Sequence, residues 1–259
     1  MVPYYAMEAL DFTDRVVIVT GGTRGIGAGI ARRFRAAGAT VYVCGRTDPG
    51  QSPPGIRFAE ADVRDPAQVD RLFTEVGRVD IVVNNAGGSP YADAATASPR
   101  FHAKVIELNL VAPLHVAQRA NATMQAQPEG GSIIMIGSVS GSRPSPGTAA
   151  YGAAKAGLNH LATSLAVEWA PKVRLNTVVV GLADSGSSAG SEHYGSMAAI
   201  AETVPLSRLA TPDDIAGACL YLASPLAAYI TGASLLLHGG GERSAYLAAM
   251  AREAYPPKK

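Results

Sequence analysis

Tyr151 and Lys155, four residues apart, are the side chains of this chain whose types and spacing best suit proton transfer. On a helix, this spacing places the two side chains on one face about one turn apart. A neighbouring ammonium favours the phenolate, so it moves the pKa of a tyrosine down from about 10 toward the working pH. The pair therefore predicts a general acid and base. A packed tyrosine beside a surface lysine is the alternative that the pair alone leaves open.

A glycine-rich segment near the N-terminus has the context of a dinucleotide-binding turn. An apolar run at residues 16–19 leads into TGGTRGIG at residues 20–27, and residues 26–37 have a helical pattern. Glycines let the backbone turn tightly and approach a pyrophosphate, whose charge meets the free N–H groups at the helix start. The residues predicted to contact the cofactor in this turn are Gly21, Thr23, Arg24, Gly25, Ile26 and Gly27.

The residues after the second predicted strand bear on the choice between NAD(H) and NADP(H). An acidic side chain here would hydrogen-bond the ribose hydroxyls, but the chain reads Cys-Gly-Arg-Thr at residues 44–47. Arg46, followed by Thr47, suits a 2′-phosphate, and Arg24 in the glycine-rich turn can reach the same group. We therefore predict NADP(H). NAD(H) is the alternative if both arginines are solvated surface charges.

Apolar β-branched runs alternate with alanine-rich helical stretches, which is typical of a parallel sheet covered by helices on both faces. Right-handed crossovers then predict a single-domain α/β fold with a doubly wound sheet, whose ligand crevice opens at the carboxyl ends of the strands. The seven predicted strands are residues 16–19, 40–44, 56–59, 81–83, 132–136, 175–179 and 234–237. Helices are predicted to begin near Gly25, Pro66, Ser98, Tyr151 and Pro212.

Other segments depart from this alternation. Residues 47–55 contain three prolines and two glycines, which predicts a loop where a crossover helix is expected. Residues 184–205 are predicted to form a substrate lid, with a plain surface loop as the alternative. Residues 13–241 form the predicted dinucleotide-binding and catalytic domain, between an N-terminal leader at 1–12 and a C-terminal tail at 242–259.

The composition is typical of a globular protein, with 47% hydrophobic and 17% charged residues. A net charge of +1 and the lack of a basic cluster argue against a nucleic-acid partner. Cys44 and Cys219 have neither disulfide nor metal-ligand spacing, so we expect two buried thiols and no metal. No apolar run reaches the roughly 20 residues of a membrane span, so we expect no membrane partner and a cytoplasmic location.

Two short motifs also follow predicted strands. Asp62 and Val63, after the third strand, are placed to hold the adenine ring. The run Asn-Asn-Ala-Gly at residues 84–87 ends the fourth strand, where small residues let the chain pass close beside a cofactor. Asn85, Ala86 and Gly87 are therefore predicted cofactor contacts.

Asn109 is followed four residues later by Pro113. Proline has no N–H group to donate to the carbonyl of residue i−4, so the Asn109 carbonyl is left without its helical partner. A freed carbonyl can hold a water molecule. A simple helix kink is the alternative.

With these motifs, in this order and near these spacings, the chain resembles the short-chain dehydrogenase/reductase family over nearly its whole length. The resemblance is to the compact single-domain type and implies a Rossmann-like fold and hydride transfer between a substrate carbon and a nicotinamide ring. It implies that Ser138 hydrogen-bonds the substrate oxygen and that Tyr151 exchanges its proton. Lys155 would hold the nicotinamide ribose and lower the tyrosine pKa, and Asn109 would help to hold a water molecule on a proton path.

The chain departs from the family pattern after the sixth strand. The family usually has Pro-Gly there, and this chain keeps Gly181 but has Val180 in place of the proline. The Ala183 backbone is still expected to bond the nicotinamide carboxamide, and Ser185 keeps a hydroxyl. His238 stands where an aspartate is common, and we expect it to be structural.

The sequence predicts the type of reaction in more detail than it predicts the substrate. We expect a hydrophobic secondary alcohol or ketone, either 3-oxoacyl thioester-like or steroid-like. The alternatives are a non-catalytic dinucleotide-binding sensor or scaffold, and an epimerase or dehydratase, which would need a larger C-terminal domain. The predicted substrate residues are Ser138, Ser140, Tyr151, Tyr91, His193 and Tyr194. Further pocket candidates are Gly88, Ser89, Pro90, Met197 and Arg143. Arg143 could meet an anionic substrate, with an exposed surface arginine as the alternative.

The resemblance also implies a homotetramer. Its subunit contacts are expected on the long helices that begin near Ser98 and Tyr151 and on the final strand. Tyr246, Leu247 and Met250 in the tail are hypothesised to pack on a neighbouring subunit near its pocket.

Overall fold

The structure, a computed structural model, describes residues 10–48, 50, 53–184, 196–242 and 244. These residues contain the strands β1 Val16–Thr20, β2 Thr40–Gly45, β3 Ile56–Glu60, β4 Ile81–Asn84, β5 Gly131–Ser138, β6 Val173–Val180 and β7 Ser234–Leu237. The seven strands form one parallel sheet in the order β3-β2-β1-β4-β5-β6-β7. Each of the seven predicted strands is confirmed to within a few residues at its ends.

Helices cover both faces of the sheet, as the doubly wound prediction requires. The helices are α1 Gly25–Ala36, α2 Pro66–Val76, α3 Pro99–Ile106, α4 Ala112–Ala126, α5 Ala149–Trp169, α6 Met197–Thr203 and α7 Pro212–Ala223. Successive residues of β1 point to opposite faces, because a strand has a period of two. Ile18 joins the apolar cluster beneath α2, α4 and α5. Val17 and Val19 join the cluster beneath α1 and α7.

The strand order reverses between β1 and β4. In such sheets the connections leave β1 and β4 in opposite directions, and a crevice opens at their carboxyl ends. The glycine-rich turn, residues 84–87 and Ser138 lie at the carboxyl ends of β1, β4 and β5. The fold therefore brings the predicted motifs to one edge of the sheet.

Three details refine the predicted boundaries. Phe12, placed in the leader by the sequence, is 3% exposed and packs edge-on against Phe34, with ring centroids 5.1 Å apart, so the packed core extends to this residue. The segment between β2 and β3 has no helix among its described residues, as its prolines predict. Both cysteines are buried, and burial raises the pKa of the Cys44 thiol to about 12.

No helix in the described part of the chain is long and apolar enough to span a membrane. The described residues also contain no group of three His, Cys, Asp or Glu side chains that could hold a metal ion.

Candidate active site

Tyr151 and Lys155 lie in the first two turns of α5. The Lys155 Nζ atom is 5.6 Å from the centroid of the Tyr151 ring. The short 3-10 turn after Ser138 packs against the same part of α5, because a Cβ built at Gly141 would lie 2.7 Å from the Lys155 carbonyl carbon. A Cβ built at Gly152 would lie 2.7 Å from the Ser140 carbonyl oxygen. The end of β5 and the start of α5 are thus in direct contact.

Lys155 is a buried cation. The residue is 3% exposed, and its Nζ donates a hydrogen bond of 2.8 Å to the Ile136 carbonyl. Burial lowers the pKa of Lys155 to about 8. At pH 7 the amine is still mostly protonated, so a positive charge lies beside the Tyr151 ring. This is the arrangement that lowers the pKa of a phenol.

Asn109 lies in a π-helical segment, Glu107–Val111, between α3 and α4. This irregularity occurs where Pro113 removes a helical donor. The Asn109 side chain is fully buried and is bound on both sides: its Oδ1 accepts from the Gly88 N–H at 2.9 Å, and its Nδ2 donates to the Gly88 and Val105 carbonyls at 2.9 Å each. The side chain therefore fixes the backbone at Gly88, a contact that the sequence did not predict.

Gly87 lies close to the buried lysine. A Cβ built at Gly87 would be 2.7 Å from Asn109 Oδ1 and 3.4 Å from Lys155 Nζ. Glycine at this position thus allows the segment after β4 to approach both side chains.

The glycine-rich turn has the geometry that a dinucleotide needs. Gly21 and Gly25 have positive φ values of 62° and 56°, which other L-residues rarely adopt. A Cβ built at Gly27 would lie 2.4 Å from the Gly21 carbonyl oxygen and 2.5 Å from Asn85 Nδ2. Glycine is therefore required at position 27 by close backbone packing.

The start of α1 is suited to an anion. Among the described residues, the N-cap residue Arg24 makes no side-chain hydrogen bond to this helix end, and the first turn contains no acidic residue. In contrast, Asp65, Ser98 and Thr211 each cap a helix N-terminus through a side-chain oxygen. The positive end of the α1 dipole and its N–H groups are thus left for a phosphate. The turn fits a dinucleotide pyrophosphate.

Thr20 and Asn85 hold this turn against the end of β4. The Thr20 Oγ1 accepts from the N–H groups of Asn85 and Ala86, each at 3.0 Å. The Asn85 Nδ2 donates to the Thr20 carbonyl at 2.9 Å and to the Gly21 carbonyl at 3.2 Å. Thr20 is a site residue that the sequence did not predict, since its partners lie more than 60 residues away.

Arginines gather around Asp62 beyond the ends of β2 and β3. Arg64 binds the Asp62 carboxylate through Nε at 2.9 Å and Nη2 at 2.5 Å. The Arg64 hydrogen bond is the main cause that lowers the pKa of Asp62, and the charge of Arg46 acts in the same direction. Arg24 and Arg46 are both exposed. Arg64, which the sequence did not predict as a site residue, balances the negative charge of the Asp62 carboxylate, so the surroundings favour an anion.

The segment after β6 is held in place without a proline. Ala183 forms a parallel bridge with Ala210, and the Asp184 N–H donates to the Ala210 carbonyl at 2.9 Å. A Cβ built at Gly181 would lie 2.6 Å from the Cβ of His238, so His238 packs on this segment. The predicted contacts Ser185, His193 and Tyr194 lie outside the described residues.

Tyr91 and Ser140 border the crevice on the side of the Ser138 turn. Tyr91 is 60% exposed, and its ring lies over Gly147, where a Cβ would overlap the ring. The Ala92 N–H donates to the Gly147 carbonyl at 2.8 Å. The Ser145 hydroxyl donates to Ser140 Oγ at 3.1 Å. The loop at 142–147 thus joins Tyr91 to the turn that carries Ser138.

Comparison with known proteins agrees with this geometry. The model of a family described as enoyl-(acyl carrier protein) reductase matches residues 21–242. The 3-oxoacyl-[acyl-carrier-protein] reductase MabA of Mycobacterium tuberculosis is 39% identical over 234 residues, which cover 88% of this chain and 93% of that protein. The cyclic-di-GMP-binding biofilm dispersal mediator protein of Escherichia coli is 34% identical over 235 residues, with coverage of 88% and 97%.

A solved structure of a short-chain dehydrogenase/reductase family protein superposes with a TM-score of 0.81 at 35% identity, covering 89% of this chain and 98% of its own. The family model spans the glycine-rich turn from Gly21 onward, the Ser138 turn and α5. The chain therefore belongs to the short-chain dehydrogenase/reductase family of oxidoreductases.

Proposed function

We propose that this protein is an NADPH-dependent reductase of 3-oxoacyl thioesters in which Tyr151 donates the proton. The observation that carries the proposal is the buried ammonium of Lys155, 5.6 Å from the Tyr151 ring centroid, with its pKa lowered to about 8. A buried charge is costly, so its retention beside a phenol is best explained by chemistry. The relatives named as 3-oxoacyl-[acyl-carrier-protein] reductases support the substrate class.

Each catalytic residue has a distinct role in this proposal. NADPH, when bound, supplies a hydride to the carbonyl carbon. Tyr151 gives its phenolic proton to the carbonyl oxygen, and Ser138 donates a hydrogen bond to the same oxygen. Lys155 stabilises the phenolate that remains, and the Asn109 segment holds a water molecule that returns a proton from bulk solvent. The product is the 3-hydroxyacyl thioester.

The chain's own groups would hold the cofactor at the positions that the motifs predict. The N–H groups at the start of α1 would bind the pyrophosphate, and Asp62 with Val63 would hold the adenine ring. Lys155 would bind the nicotinamide ribose and the Ala183 backbone the carboxamide. Residues 184–205, which include α6, remain the predicted substrate lid, and residues 185–195 of this segment lie outside the described part of the chain.

The preference for NADP(H) rests on the charges near the adenine side. The charges of Arg46 and Arg64 both act on a single carboxylate, Asp62. Arg24 is exposed in the glycine-rich turn, and arginine suits a phosphate better than a ribose hydroxyl. We expect Arg46→Ala to weaken NADPH binding at least about tenfold and to leave NADH binding unchanged. A fluorescence titration with both cofactors measures this, and equal affinity of the wild type for NADPH and NADH would contradict the preference.

A non-catalytic binding role is the second candidate function. It is supported by the relative named as a cyclic-di-GMP-binding biofilm dispersal mediator protein. The two functions differ in turnover. We expect wild-type protein with acetoacetyl-CoA to oxidise NADPH and to yield the 3-hydroxyacyl product in equal amount. NADPH binding without turnover of any ketone in a panel of thioesters, steroids and simple ketones would favour the binding role.

We propose a homotetramer as the working assembly. Leu235 and Leu236 on β7, at the edge of the sheet, are 36% and 56% exposed. Leu226 and Tyr229, in the segment that leads into β7, are also exposed. An apolar strand at a sheet edge is normally covered in a stable protein, which supports a subunit contact here.

A further inference from the structure

Arg143 is the only charged residue in the sequence between Ser138 and Tyr151. Its backbone N–H donates to the Val139 carbonyl at 3.1 Å, so it lies one turn beyond Ser138. The guanidinium donates from Nη1 to the Pro144 carbonyl at 3.0 Å and from Nη2 to Glu242 at 2.5 Å. A cation is thus held on the loop that follows the catalytic serine, by a carboxylate 99 residues away.

The backbone brings Glu242 to this loop. Gly239, Gly240 and Gly241 have positive φ values of 62°, 97° and 87°. A Cβ at Gly239 would lie 2.7 Å from Val204 Cγ1, and one at Gly240 would lie 2.9 Å from the Pro205 ring. Three consecutive glycines therefore turn the chain after β7 closely past the end of α6.

This pair forms one part of the rim of the crevice, which we define as Tyr91, residues 142–147 and Glu242. Tyr91 packs on Gly147 at one end of the loop, and Glu242 binds Arg143 near the other. The rim therefore joins the segment after β4, the Ser138 loop and the segment after β7. Arg143 is the cation of this rim, on the loop that follows Ser138.

The ion pair is well suited to exchange. The two side chains are 37% and 40% exposed, and ion pairs at this exposure contribute little net stability. A phosphate carries more charge than a carboxylate and offers several oxygens to the planar guanidinium. It can therefore replace Glu242 on Arg143 at small cost.

We propose that Arg143 binds the phosphate of the phosphopantetheine arm of a 3-oxoacyl thioester, and that Glu242 holds the guanidinium at the rim until this phosphate displaces it. The inference rests on the proposed function. The arm is flexible and its phosphate is separate from the thioester, so a long cationic side chain on the loop after Ser138 can meet the phosphate while the thioester lies at Ser138. Coenzyme A and acyl-carrier protein both carry this arm.

Two variants with opposite charge effects test the proposal. The probes are acetoacetyl-CoA, an acetoacetyl carrier protein and acetoacetyl-N-acetylcysteamine, which has the thioester but no phosphate. We expect Arg143→Gln to raise KM about tenfold for both phosphate-bearing substrates and to leave KM for the neutral one and kcat unchanged. Glu242→Gln removes a competing anion, so we expect it to lower KM for the phosphate-bearing substrates about twofold.

Controls separate binding from a structural effect. Arg143→Lys keeps the charge and is expected to recover most of the affinity. Arg119→Gln removes a comparably exposed ion pair with Asp70, between α4 and α2, and is expected to change no KM. Thermal melts verify that each variant is folded.

Three outcomes would overturn the inference. An equal rise in KM for the neutral thioester in Arg143→Gln would make the pair a structural link. A change of KM in the same direction in Arg143→Gln and Glu242→Gln would also make the pair a structural link. A rise confined to acetoacetyl-CoA would place Arg143 on the nucleotide portion of that molecule. If the wild type reduces none of the three thioesters, the proposed function itself fails, whatever the variants do.

Discussion

At the residue scale, Lys155 combines its proposed role beside Tyr151 with a cost in stability. Its pKa falls from 10.5 to about 8 because the charged form is buried. Between about pH 8 and 10.5 the unfolded chain binds more protons than the folded chain, so stability rises with pH across this window. Below pH 8 the folded protein must hold Lys155 as a buried ammonium. Through this one group it is then roughly 3 kcal/mol less stable than above pH 10.5, where the lysine is neutral in both the folded and the unfolded chain.

We therefore expect Lys155→Met, without cofactor, to be more stable than the wild type at pH 7 by roughly 2–3 kcal/mol. The difference should shrink toward pH 10.5, and turnover should be lost. Urea unfolding at several pH values measures this. Lys172→Met is the control, because that lysine is exposed and binds the Gln125 and Gln127 carbonyls. A Lys155→Met protein that is less stable than the wild type at every pH would contradict the account.

Local spacing is what made the proximity of Tyr151 and Lys155 predictable. The Tyr151 and Lys155 pair is set by helix geometry alone, and the structure places the two side chains together. The side-chain contacts of Asn109 with Gly88 and of Thr20 with Asn85 join residues 21 and 65 positions apart, so no spacing in the sequence reveals them. Arg64 could have been found from its position two residues after Asp62.

At the element scale, the strand-to-helix turn at residues 20–27 makes the sharpest prediction. A methyl group at position 27 would overlap the Gly21 carbonyl. We expect Gly27→Ala to weaken NADPH binding at least about tenfold, because the turn must open to accept the new side chain. Fluorescence titration measures the affinity.

Gly217 in α7 is a matched control, since a Cβ there would meet no atom of the described residues within 4 Å. Gly217→Ala should raise stability by about 0.5–1 kcal/mol through helix propensity and leave cofactor binding unchanged. Unchanged NADPH affinity in Gly27→Ala would show that the turn does not hold the cofactor.

Apolar periodicity in the sequence predicted the regular strands and helices, whereas it predicted the irregular segments only in part. Buried parallel strands are continuous apolar runs, which made β1, β4, β5 and β6 visible in the sequence. β7 is an apolar run that is largely exposed. The proline at 113 indicated a break in the helix, but only the structure shows that it takes the form of a π segment at Glu107–Val111. The short helix Met197–Thr203 lies in a stretch whose Ser, Gly and Ala content gives a weak pattern.

At the scale of the whole molecule, chain order and crossover handedness predicted a doubly wound sheet but not its strand order. The order depends on which strands pair across long separations, as β1 with β4 and β6 with β7 do. Assembly is less predictable still, because it depends on surfaces that the monomer alone leaves exposed. The apolar edge at β7 is such a surface.

We expect Leu236→Glu to dissociate the proposed tetramer, since it places a charge on that edge. Size-exclusion chromatography with light scattering gives the mass of each species. Thr74→Glu, on the exposed side of α2, is the control and should keep the wild-type mass. A wild-type monomer, or a Leu236→Glu tetramer, would show that β7 does not form the contact.

The central claim is that Tyr151 transfers the proton while the rest of the site binds NADPH and the ketone. Tyr151→Phe tests it most directly, with steady-state reduction of acetoacetyl-CoA and NADPH titration measured on the same preparation. The account predicts wild-type NADPH affinity and a kcat at least about a hundredfold lower. Wild-type turnover by Tyr151→Phe would contradict it.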